Sequence, residues 1–209
     1  MANLKESIAL AGHPGRPRKR RVLPAEVRID GLLSAAADLF VSKGIEATTV
    51  DDIVARAGVA KGTFYHYFPT KADVILALRE RFSRDFTERV ASAIAVCPPD
   101  DHAARITAWL SGAVATYLAN YELHDVVFHD FTHSRRQSQE KDVVLAQLIA
   151  LFQDGEKAGA WTLPNARMTA LVFFDGMHGA VDDAIAAGGR DPQPIIDQLS
   201  TLFTRMLRT

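Results

Sequence analysis

The sequence predicts an all-α protein, and three observations carry that prediction. Apolar residues recur at helical spacing through most of the chain. No alternating run of β-branched residues is long enough for a strand. The breaks between periodic segments carry helix start and stop residues, chiefly Gly, Pro and Thr-x-x-Asp. With 209 residues, 48% hydrophobic and 23% charged, the chain can bury a core and fits one large or two small domains.

The elements follow in order. Residues 1–23 hold Gly12, Pro14, Gly15 and Pro17 without periodicity and read as a flexible basic arm. After Pro24, a stripe of Ile29, Leu32, Leu33, Ala36, Leu39 and Phe40 predicts a helix ending at Lys43-Gly44. Gly31 inside it costs about 1 kcal/mol against alanine. Thr49 with Asp52 has capping-box spacing and opens a short helix with Val50, Ile53, Val54 and Ala57 facing inward. Gly58 stops it. A third helix covers Ala60 to Phe68, before Pro69. Thr70 with Asp73 opens a long helix with the stripe Ile75, Leu78, Phe82 and Phe86, running to Cys97-Pro98-Pro99. Further helices are expected over about 101–119, 121–134, 138–158, 166–187 and 192–208. The resulting organisation is an arm at 1–23, a three-helix unit at 24–70 and a larger helical domain at 71–209.

Composition excludes several classes. The 24 basic and 25 acidic residues give a formal charge of -1, so the chain is not uniformly coated with positive charge. One cysteine, Cys97, excludes an intramolecular disulfide and a four-cysteine zinc site. No apolar run reaches a membrane span, and the N-terminus lacks a signal-peptide layout. A soluble, cytoplasmic protein is expected. The charge is uneven. Residues 1–28 carry Lys5, Arg16, Arg18, Lys19, Arg20, Arg21 and Arg28 against Glu6 and Glu26. A positive head on a negative body points the head at a polyanion.

Two short helices joined by a glycine turn form a helix-turn-helix pattern. On the second, Lys61, Gly62, Tyr65 and His66 share one arc, opposite Phe64, Tyr67 and Phe68. The first group has what a groove-entering face needs: a cation, polar ring groups and a glycine that permits close backbone approach. Thr63 borders both arcs. Spacing alone fits an ordinary αα-hairpin with a polar outer face equally well.

The stretch from Thr48 to Phe68, TTVDDIVARAGVAKGTFYHYF, followed by Lys71, resembles the DNA-binding segment of the TetR family of transcriptional regulators. The preceding helix, with Ala35-Ala36, Leu39-Phe40 and Gly44, fits the same pattern. The resemblance covers about residues 25–80. It implies DNA contacts from Thr49, Lys61, Gly62, Thr63, Tyr65, His66 and Lys71. It also implies a ligand-binding and dimerisation domain behind them, and a repressor that leaves its operator when a small effector binds. Many members have serine where this chain has Ala60, so one phosphate-facing hydroxyl is missing here.

Arg16 and Arg18 lie in Gly15-Arg16-Pro17-Arg18-Lys19-Arg20-Arg21, which resembles an AT-hook core. Proline keeps such a segment extended, and arginines suit a narrow A·T minor groove. A basic tail attracted only to phosphate is the plainer reading.

In the body, Asp125, His129 and His133 fall at i, i+4 and i+8, so they share a helix face. Such a face suits a divalent metal and defines the alternative, a metal-dependent helical hydrolase. The zinc-protease pattern is absent, and a pocket-lining histidine face is the commoner outcome. Asp175 and His178 are i, i+3 neighbours without an accompanying nucleophile pattern. No catalytic residue, metal or cofactor is therefore expected. Phe128, His129, Trp161, Phe174 and His178 are the candidate effector pocket, since they bring apolar surface and polar donors to helices expected to face one another. One short recognition helix reads few bases, so a homodimer on a near-palindrome is expected. Gly176, Gly179 and Ala180, with the stripe Ile195, Leu199, Leu202, Phe203 and Met206, are its candidate interface. The expected partners are double-stranded operator DNA, a second copy of the chain and a small-molecule effector, with no membrane.

Overall fold

The structure, a computed structural model, describes residues 24–129 and 139–207, with only the backbone of His129, Gln139 and Glu140. The basic arm with Arg16 and Arg18, and Asp130 and His133, lie outside the described residues. Those described form eight helices and no strand. They are α1 (Ala25–Lys43), α2 (Val50–Ala57), α3 (Lys61–Tyr67), α4 (Lys71–Ala95), α5 (His102–His129), α6 (Gln139–Lys157), α7 (Ala166–Ala186) and α8 (Pro192–Leu207).

The starts and stops follow local chemistry. Thr49 and Thr70 each close a full capping box, with Asp52 and Asp73 respectively. Each box satisfies backbone donors that would otherwise lack partners. Gly58 ends α2 in the left-handed conformation, at φ 67° and ψ 29°, which glycine adopts without a Cβ penalty. That turn sets α3 across α2.

The helices enclose two apolar cores. Leu32, Phe40, Ile53, Phe64, Val74 and Leu78 fill the N-terminal one. Trp109, Leu148, Phe152, Phe173, Met177 and Phe203 belong to the larger one. Fully burying one such side chain contributes about 1.5–3 kcal/mol, so both units are held chiefly by these rings and branched chains. Helix α4 belongs to both, through Val74 and Leu78 at its start and Phe86 and Val90 further on.

The expected break between helices over 101–119 and 121–134 falls at Asn120, where α5 kinks. Helix α5 is one helix with this residue non-helical, at φ −133° and ψ 17°. The Asn120 side-chain amide donates to the Thr116 carbonyl at 2.9 Å, occupying an acceptor beside the kink. Before the kink, Ile106, Trp109, Ala113 and Tyr117 are buried in the larger core. After it, Val127 is buried in the N-terminal core, with Leu123, Val126 and Phe128 packed partly against it. One helix thus serves both cores, and the bend lets its two halves aim their apolar faces differently.

The stripe on α8 divides. Leu199 and Phe203 are buried, with Phe203 against Phe173 at 3.8 Å between ring centroids. Leu202 and Met206 stay exposed. Trp161 is a packing residue of the α6–α7 connection. Its indole N–H donates to the Phe152 carbonyl at 2.9 Å, and a Cβ at Gly155 would run into its ring.

Candidate nucleic-acid interface

Helix α3 is too short to be stable alone; its anchor is Phe64, which is fully buried and packs against Phe68 and the edge of Tyr65. Tyr67, half-buried, lies under the Arg28 guanidinium at 5.7 Å, which ties α3 to α1. Lys61, Gly62, Tyr65 and His66 are exposed on the other side, and Thr63 is half-buried between the faces. The helix therefore presents one polar arc, fixed from behind by aromatic packing. Gly62 is informative. A Cβ there would meet nothing within 4 Å, and glycine inside a helix costs about 0.8–1.0 kcal/mol against alanine. The fold gives no reason for glycine at this position, whereas close approach of an outside backbone does.

Charges around this arc are paired within the chain. Lys61 Nζ lies 2.8 Å from Asp51 Oδ1 on α2, and that hydrogen bond raises the Lys61 pKa above its ordinary value. Asp52 accepts from Lys43 Nζ at 2.6 Å and from the Thr49 hydroxyl and amide. The Lys43 ammonium first, then Thr49, hold the Asp52 carboxyl well below the usual carboxylate range. Thr49 is exposed at the start of α2, the helix end that attracts phosphate. Lys71 is placed differently from the arc. Its ammonium donates to the carbonyls of Ile45 and Thr48, at 2.5 and 3.1 Å, and fastens α4 to the loop before α2.

In the body, Phe128, Phe174 and His178 come together. His178 lies 4.2 Å from Phe174, 4.9 Å from Tyr117 and 5.9 Å from His124 between ring centroids, and Phe128 lies 4.9 Å from His124. Burial pushes the His178 pKa down, against the raising effect of the Phe174 carbonyl at its Nδ1. Tyr117 donates to Asp182 at 2.6 Å, and burial first, then this bond, raises its pKa. Trp161 is not part of the group; it lies by His102 in the wall of a separate cavity of about 510 Å³. The His129 side chain is outside the described residues. Asp175 pairs with Lys141 at 2.7 Å rather than with His178. Among the described residues, no three His, Cys, Asp or Glu side chains are grouped to hold a metal, and no helix is long and apolar enough to cross a membrane. Tyr117 and His124 belong with His178 but were not selected from the sequence. Their rings meet across the kink, 4.5 Å apart between centroids, and nothing local said that α7 would meet them.

A capped α2, a left-handed glycine turn and an anchored α3 with an exposed polar arc define the helix-turn-helix class. Residues 32–78 match the family model described as bacterial regulatory proteins, tetR family. The N-terminal unit is thus of the TetR type over these residues. It is 33% identical over 94 residues to the transcriptional activator FasR of Mycolicibacterium smegmatis, a match spanning 45% of this chain and 43% of that protein. It is 37% identical over 75 residues to the transcriptional repressor KstR2 of the same organism, spanning 36% of this chain and 31% of that protein. The matched segments thus cover less than half of these relatives. The likeness of the whole fold extends further. The structure of the regulator FadR from Bacillus subtilis, in complex with stearoyl-CoA, superposes with a TM-score of 0.69 at 20% identity, covering 83% of this chain and 96% of that one.

Proposed function

We propose that this protein is a sequence-specific DNA-binding transcriptional repressor, acting as a homodimer and released from its operator by a small apolar effector. The observation that carries this reading is the exposed arc of Lys61, Gly62, Tyr65 and His66 on a helix held from behind by buried Phe64. In the complex Lys61 contacts phosphate or guanine, Tyr65 and His66 reach base edges or phosphate, Thr49 and Thr63 contact phosphate, and Gly62 lets the backbone close on the groove. Lys71 holds the loop that carries Thr49. Arg16 and Arg18 enter the flanking minor groove.

One such helix reads few bases, and a two-fold dimer supplies two half-sites about one turn, or a multiple, apart. The face that supports dimerisation combines Met168, Val172, Gly176 and Gly179 on α7 with Leu202 and Met206 on α8, all exposed in the single chain. Its apolar character and small residues suit close helix packing.

The effector site proposed is the aromatic group of Phe128, Phe174 and His178, with Tyr117 and His124 beside them. It adjoins the half of α5 that packs into the N-terminal core, so a ligand there alters the setting of the recognition helix. Repression, the named role of KstR2, is the direction adopted. Rigid DNA demands a fixed half-site spacing, so a small displacement weakens binding.

The test has two stages. Bound sequences are selected from random duplex DNA, and compounds are then screened for release. A near-palindromic site is expected, and calorimetry should show the effector binding operator-bound protein more weakly by the same factor that it weakens DNA. Failure to enrich any sequence would overturn the DNA reading. Equal effector affinity with and without operator would overturn the release mechanism.

A further inference from the structure

Where the two cores meet, α1, α4 and α5 enclose a cavity of about 250 Å³. Arg81 and Arg89 of α4 line it, eight residues apart and so about 80° apart around the helix. Ser34 of α1 and Asn120 at the α5 kink also line it, above an apolar floor that includes Phe82 and Leu123. Among the described residues neither arginine has a carboxylate within 4.0 Å. Among the described residues, the one hydrogen bond of Arg81 is a long one to Ser34 Oγ at 3.5 Å. Asp85 also lines the cavity, between the two arginines along α4, but its ion pair, at 3.6 Å, is with Arg84.

We propose that this cleft is a binding site for a small organic anion, a carboxylate or phosphate monoester on a short apolar body, with Arg81 and Arg89 on the head and Phe82 and Leu123 on the tail. Guanidinium groups match carboxylate and phosphate oxygens in paired hydrogen bonds. The groove across the kink shares Asn120 and Leu123 but is lined by Asp38 and Glu122. Two guanidiniums against the one carboxylate of Asp85 leave the arginine side net positive, while the other groove has two carboxylates and no cation in its lining, so only the arginine side suits an anion. The floor also gives the site a reach into the body: Phe82 packs against His124 at 5.4 Å and Phe128 at 5.7 Å. Because α1, α4 and α5 all line it, an occupant touches helices of both cores. A consequence for operator affinity rests on the regulator reading above; the binding itself does not.

The test is an NMR titration of the full chain, without DNA, at constant ionic strength. The probes are hexanoate and hexyl phosphate, with hexylammonium as the control. Saturable shifts are expected at the amides of Ser34, Phe82, Asn120 and Leu123 with the anions only, and the tighter anion identifies the head group. Arg81→Gln with Arg89→Gln should weaken binding at least about tenfold, the loss of one charged hydrogen bond. Arg167→Gln, which removes one positive charge on α7 as Arg89→Gln does on α4, should leave it unchanged. If the double variant loses helicity, Arg89→Gln alone, at an exposed position, serves with an expected loss of several-fold. Unsaturable shifts, an equal response to hexylammonium, or undiminished affinity in the folded arginine variant would overturn the site. Saturable anion binding in a protein that enriches no DNA sequence would keep this site and overturn only the regulator reading.

Discussion

Lys61 Nζ, at the first position of the recognition helix, lies 2.8 Å from the Asp51 carboxylate at the start of α2. Both side chains are more than half exposed, so solvent screens the pair and it adds little to folding. On the proposed DNA contact it bears instead on binding, because Lys61 would have to exchange Asp51 for a phosphate or base, and Asp51 itself would repel the DNA backbone. Asp51→Asn is expected to raise affinity for random duplex DNA and to steepen the salt dependence, by up to about 0.9 log unit for one additional phosphate contact. Filter binding over a salt series measures both. An unchanged slope and affinity would mean that Asp51 stands clear of the DNA.

Gly62→Ala separates folding from recognition at a single methyl group. The site is open and helical, so alanine should stabilise α3 by up to about 1 kcal/mol. Specific DNA affinity should fall, because the added methyl holds the backbone away from the groove. Thermal unfolding and operator binding read the two effects. A variant that binds as well as the original would remove the close-approach argument for this glycine.

The two faces of α3 should respond in opposite ways. Lys61→Ala, Tyr65→Phe and His66→Ala should leave helicity and melting nearly unchanged while weakening operator binding, with about 1–3 kcal/mol of base discrimination lost if Lys61 reads a guanine. Phe64→Ala empties a fully buried site and should cost about 3–5 kcal/mol of stability. Circular dichroism melting distinguishes them. Comparable destabilisation on both faces would contradict the division between anchor and reading surface.

His178 predicts an acid-sensitive body. Its pKa is lowered, first by burial, so above its ordinary value near 6.5 both folded and unfolded states hold it neutral. As pH falls below about 6.5 the unfolded chain takes up a proton that the folded chain resists, and stability drops until the depressed folded value is reached. Urea unfolding between pH 7.5 and 5 should show this fall, and His178→Phe should make it shallower. The same pH dependence in the variant would assign the effect to another group.

Trp161 and Gly155 form a packing pair that makes a separate prediction. Gly155→Ala drives a methyl into the indole and should cost about 1–3 kcal/mol, as overpacking does. Chemical denaturation measures it. A neutral result would mean that the α6–α7 connection yields easily.

The sequence alone determined what depends on neighbours a few residues away. Thr49 with Asp52 and Thr70 with Asp73 marked two helix starts, and each forms the expected box. Gly58 marked a helix stop, and a 100° step per residue separated Lys61, Gly62, Tyr65 and His66 from Phe64. These follow from covalent geometry and local hydrogen bonding, which every chain carries within a few residues. The tertiary structure decided what depends on which helix approaches which face. It joined the two segments that meet at Asn120 into one kinked helix and buried Val127 among residues of the N-terminal core. It turned the Lys71 ammonium onto backbone carbonyls and placed Trp161 on Gly155, apart from Phe128, Phe174 and His178. It divided one apolar stripe into buried Leu199 and Phe203 and exposed Leu202 and Met206. Periodicity gives a helix an apolar side, but only the packing of distant segments determines how much of that side is covered, and by what.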